Sequence, residues 1–116
     1  MELDLERVAR LEDILGSELS EILASLVAGM DEQIERAEEG LAGDRLQDVT
    51  QAAHRCRNDA LMVGAQPMLA ALSELEDASR AGRLEDAHEA MRRLREVWPE
   101  TRSELQRAVH SAVNAD

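Results

Sequence analysis

The run Ala52-Ala53-His54-Arg55-Cys56-Arg57-Asn58-Asp59-Ala60-Leu61 sets a histidine among residues that could serve a reactive ring. With His54 at zero on a wheel of roughly 100° per residue, Val49, Ala52, Ala53, Cys56, Ala60 and Val63 fall between about 160° and 260°. The buried direction of this helix therefore lies nearly opposite His54, and the imidazole points to solvent. Gln47, Thr50, Gln51, Arg57, Asn58 and Leu61 surround it from the turns above and below, a surface patch of mixed polar, cationic and apolar character.

An outward imidazole can act as a nucleophile, because its reference pKa of about 6.5 leaves a neutral ring available near pH 7. A phosphoryl group taken onto such a ring brings negative charge, and Arg57, one turn on, offers a planar set of donors to offset it. Leu61 places an apolar side chain beside the reactive atom; it serves either partner docking or an internal contact with the first helix. Arg55 reads as an ordinary charged face, and Asp59 is spaced to pair with it at i,i+4. Among the other candidates, Glu85 and His88 have the spacing of a carboxylate–histidine metal pair, but no second such motif accompanies them. No metal site is expected. His88 reads as a boundary histidine at the edge of its seam, and His110 as plain surface. Met30, Met62, Met68 and Met91 read as packing, and the acidic clusters at 35–39 and 74–77 as solvated faces.

These residues must be positioned by helices, because Ala, Leu, Glu and Arg dominate while Gly, Pro and aromatic residues are scarce. Leu5, Val8, Leu11 and Leu15 mark a short first helix stopped by Gly16. Ser17 can cap a second, with Leu19, Ile22, Leu23, Leu26, Val27, Met30, Ile34 and Ala37 on one side, ending between Gly40 and Gly43. Asp44 followed by Gln47 resembles a capping box opening a third helix, which runs through His54 to Gly64. Pro67 suits the first turn of a fourth, with Leu69, Leu72 and Leu75 inward and a stop at Gly82. The seam Leu84, Ala87, Met91, Leu94, Trp98, Thr101, Leu105, Ala108 and Ala112 stays in phase across Pro99. That phase predicts one kinked helix, with two helices as the alternative. Short connections make successive helices antiparallel. The expectation is an all-α, antiparallel up-down four-helix bundle with a short additional N-terminal helix, one domain over residues 1–116.

A formal charge of -12 opposes binding to nucleic acid or an anionic membrane, so the partners expected are proteins. All 13 basic residues are arginine, which excludes lysine Schiff-base chemistry. The single cysteine, Cys56, cannot form an intramolecular disulfide, and the charged opening segment lacks an apolar signal core; a cytoplasmic monomer is expected.

The segment from Ala52 to Ala65 resembles the signature of the histidine phosphotransfer (HPt) domain family, A-H-x-L-K-G-S-x-x-x-x-G, and Leu69, Leu72, Leu75-Glu76 and Ala81-Gly82 extend the likeness downstream. The resemblance implies a phosphocarrier without catalytic activity of its own. It would exchange a phosphoryl group between His54 and an aspartate on a response-regulator receiver domain, or take it from a sensor histidine kinase. It also implies no intrinsic cofactor, with magnesium held only by the partner receiver. On this match His54 is the phosphorylated histidine, Arg57 replaces the usual lysine, Cys56 the usual leucine, and Gly64 is the glycine that ends the helix. Thr50, Gln51, Asn58 and Leu61 would form the docking surface. Asn58 and Asp59 depart from the pattern: asparagine in place of glycine either crowds an approaching receiver or donates a hydrogen bond to the phosphoryl oxygens. That departure motivates an alternative, an HPt-like adaptor that binds a receiver or kinase without being phosphorylated.

Overall fold

The computed structural model describes residues 18–114, in which four α-helices and no strand are found. They are α1 (Leu19–Ala42), α2 (Leu46–Val63), α3 (Gln66–Arg80) and α4 (Leu84–Asn114). The expected short helix over Leu5 to Leu15, and the Ser17 cap, lie outside the described residues.

Buried positions include, in α1, Leu23, Val27, Met30, Ile34, Ala37 and Leu41, and, in α4, Ala87, Met91, Leu94, Trp98, Thr101 and Leu105. Both sets alternate steps of four and three, which keeps the apolar stripe on one side of a long helix and suits near-antiparallel packing. The buried face of α2 is made of small residues, with Ala52, Ala53, Cys56 and Ala60 between Val49 and Val63. Each helix packs on two neighbours, α1 against α2, α2 against α3, α3 against α4, and α4 back against α1. Leu72, Leu75 and Leu94 sit at its fully buried centre, where truncation to alanine costs about 2–5 kcal/mol.

The same device ends the first three helices. Backbone bonds Arg45 N–H to Gly40 O (2.7 Å), Ala65 N–H to Ala60 O (2.8 Å) and Arg83 N–H to Ala78 O (2.8 Å) each close a six-residue loop. The residue before each donor takes a positive φ: 56° at Asp44, 71° at Gly64 and 75° at Gly82. This is the Schellman geometry, which glycine enters without Cβ crowding and aspartate tolerates better than most residues. Here the expectation for Asp44 is corrected. Asp44 stops α1 rather than opening α2, and α2 begins behind Arg45 without a side-chain cap.

Pro67 lies in the first turn of α3 as expected. Helix α4 runs unbroken through Pro99, so the one-helix reading holds. Two apolar assignments are corrected: Met62 is 50% exposed and Leu84 39%, both at helix ends where no described helix covers the seam. Met30, Met68 and Met91 are buried as expected. No described helix is long and apolar enough to cross a membrane.

Candidate functional site

The His54 side chain is 50% exposed, near the middle of α2 and opposite the buried residues of that helix. Its inner edge meets α3, where Nδ1 lies 3.1 Å from Oε2 of Glu76. Glu76 is buried, which corrects the expectation of a solvated acidic face at 74–77. Helix phase explains it, since Glu76 follows Leu72 by four residues and so shares the stripe formed by Met68, Leu72 and Leu75.

A carboxylate in that position is costly unless it is paired, and three cationic or donor groups converge on it. Arg80, one turn along α3, donates from its guanidinium to Oε2 at 2.6 Å. Arg57 of α2 forms an ion pair, its Nε 3.3 Å from Oε1, without hydrogen-bond geometry. Burial pushes the Glu76 pKa up, but the hydrogen bonds from Arg80 and His54 and the nearby charge of Arg57 together hold it below the usual glutamate value. Glu76 is thus a carboxylate at neutral pH. A carboxylate can only accept, so Nδ1 of His54 must carry the proton, and in the neutral ring Nε2 holds the lone pair on the exposed side.

Other side chains frame the ring. Thr50 donates to the Leu46 carbonyl at 2.9 Å, and its hydroxyl meets that of buried Ser79 at 2.7 Å, tying α2 to α3 one turn before His54. Ser79 Oγ also lies 3.1 Å from the Glu76 carbonyl, and with the Thr50 proton on Leu46 the single Ser79 proton serves either Thr50 or that carbonyl. Gln47, Gln51 and Asn58 are exposed, and Leu61 is 43% exposed. An open cleft of about 590 Å³ lies between the start of α2 and the end of α3, lined by Gln47, Thr50, Gln51, Ser79 and Arg80 among others. Gly64 ends α2 beyond this patch.

Several residues prominent in the sequence stand apart. Asp59 makes no ion pair with Arg55; it is half-buried towards α1, where a Cβ on Gly29 would lie 3.6 Å from its carboxylate, and burial raises its pKa. Its charge therefore sits on the far side of α2 from His54. Arg55 lines a separate cleft with Arg36 and Arg45. Cys56 is buried, and its thiol is pushed up to about 12, first by burial and then by the charges of Asp59 and Asp31. Such a thiol is not reactive. Glu85 and His88 are both exposed, and no described cluster of three or more His, Cys, Asp or Glu is arranged to hold a metal.

Glu76 and its partner Arg80 are the residues that the sequence reading missed. A carboxylate in phase with a leucine stripe was the available signal, because such a position demands a partner from a neighbouring helix.

Comparison with curated proteins and with solved structures returned no match. A family model described as the Hpt domain matches residues 21–108. That span takes in Glu76 and the three residues that meet at its carboxylate, His54, Arg57 and Arg80, and the chain accordingly belongs to the Hpt domain family.

Proposed function

We propose that His54 is the residue that carries the phosphoryl group in the histidine-phosphotransfer role that this chain has, as an Hpt domain, in a two-component relay. Like other members it is a phosphocarrier rather than an enzyme with its own active site. The single observation that carries the assignment is the 3.1 Å contact between Nδ1 and the buried Glu76 carboxylate, which turns the Nε2 lone pair outward.

The transfer follows from that geometry. Nε2 attacks the phosphorus of a receiver's aspartyl phosphate, an N–P bond forms as the O–P bond breaks, and the aspartate leaves as carboxylate. Positive charge grows on the ring as Nε2 gives up its lone pair. The Nδ1 proton is then held more strongly by Glu76, so no proton need leave during the step. Arg57 stands one turn from the ring, with its guanidinium already drawn to the same side by Glu76, and offsets the phosphoryl charge.

Hpt domains pair with receiver and kinase domains. For this chain the face offered is the patch of Thr50, Gln51, Asn58 and Leu61 around the ring, with the reducing cytoplasm as its setting. Asn58 stands exposed on the turn after His54, where a receiver would approach.

Incubating the chain with a receiver domain carrying labelled aspartyl phosphate tests the assignment. Label should move to the wild-type protein, resist alkali, be lost in acid as phosphohistidine is, and fail to appear on His54→Gln. Label on the His54→Gln chain would end the proposal.

A further inference from the structure

Arg80 has no place in the sequence reading, yet it makes the shortest bond in the site. It and His54 share one oxygen, Oε2 of Glu76, at 2.6 Å and 3.1 Å. That oxygen cannot give its full charge to both. A buried carboxylate facing an imidazole with nothing to offset it would favour the imidazolium form, and imidazolium has no lone pair on Nε2. We infer that Arg80 is a positioning residue for phosphotransfer: by holding the Glu76 oxygen that His54 also uses, it limits the negative charge felt by the ring and keeps Nε2 free to attack.

Among the described residues, the groups that could alter the ring's charge are few. From α3 they are Glu76 and Arg80, with Asp77 3.7 Å from the outer edge of Arg80. From α2 there is Arg57, whose Nε lies 3.3 Å from Oε1 without hydrogen-bond geometry. Asp59 and Arg55 turn towards α1, and no described residue of α1 pairs with the ring. Arg80 is therefore the principal counterweight to Glu76 on the atom that His54 contacts. Its side chain is 60% exposed, so replacing it should leave the bundle folded.

The inference rests on His54 being the carrier, and the test separates the two. The ring signals of His54 are followed by NMR against pH in the full chain, assigned by their loss in His54→Gln. In Arg80→Gln the ring should take up its proton at higher pH than in wild type, while Arg80→Lys, which keeps the charge, should stay close to wild type. Transfer from a phosphorylated receiver should fall roughly threefold near pH 6 and recover near pH 8.5 in Arg80→Gln. An unmoved or lowered titration, a loss of rate equal at all pH values, or an Arg80→Lys chain that behaves like Arg80→Gln would overturn the inference. Label on His54→Gln would instead overturn the carrier assignment, and the titration result stands or falls without it.

Discussion

Two carboxylates in this bundle receive the N–H of a ring and the guanidinium of an arginine, and they do different work. Asp31 of α1 accepts from Trp98 Nε1 at 2.8 Å and pairs with Arg102 at 3.0 Å, clamping α1 to α4. Glu76 of α3 accepts from His54 and Arg80, joining α2 and α3. In the first cluster the ring is buried and the carboxylate side chain is 39% exposed; in the second the ring is half out and the carboxylate only 6% exposed. The indole has one nitrogen, which only donates, so the Asp31 cluster ends in structure. The imidazole has a second nitrogen, and binding the first on a buried acceptor leaves the second defined and reachable. What separates a clamp from the site proposed to carry the phosphoryl group is which partner is hidden and whether the ring has an unused atom.

Neutralising each carboxylate in turn is the strongest way to break this comparison. Glu76→Gln should slow phosphotransfer about tenfold, by removing the charge that steadies the ring in the transition state. Asp31→Asn should leave transfer within about twofold of wild type, as expected of a surface-accessible structural pair. Equal losses in the two variants, measured by receiver-to-chain label transfer, would dissolve the distinction.

The pH dependence of stability sharpens it further. Because the folded Glu76 pKa lies below its unfolded value, its stabilisation is complete above the usual glutamate range and is lost as pH falls through the lowered value. Denaturant unfolding followed by Trp98 fluorescence should therefore lose stability on acidification in wild type, with a shallower acid slope in Glu76→Gln. A slope unchanged by that substitution would mean that the ion cluster contributes nothing to folding.

A smaller effect is expected from Trp98→Phe, which keeps the aromatic bulk and removes the bond to Asp31. It should cost about 1 kcal/mol by helical circular dichroism, with transfer intact. Smallest is Asn58→Gly, which restores the small residue of the family pattern at an exposed position. Transfer should rise about twofold, with a loss of roughly 0.5 kcal/mol from helix propensity. Slower transfer would show that the amide takes part.

The legible parts of this molecule are those carried by local periodicity. The face of α2 could be placed by counting, and Val49, Ala52, Ala53, Cys56, Ala60 and Val63 are the residues buried there. Helix ends were readable where glycine marked them, at Gly64 and Gly82, and misread at Asp44, whose side chain suits both a cap and a left-handed turn. Exposure at Met62 and Leu84 escaped the pattern because a seam says which side of a helix is apolar and not how far its neighbour extends.

Sequence alone determined that His54 faces outward, since helical phase depends only on the spacing of neighbours along one element. The carboxylate behind it was decided by tertiary structure. Glu76 is 22 residues away, and whether it meets Nδ1 depends on the register in which α3 packs against α2. That register is set by close packing of the whole core, to which Leu72, Leu75 and the small residues of α2 all contribute, and no spacing along the chain encodes it.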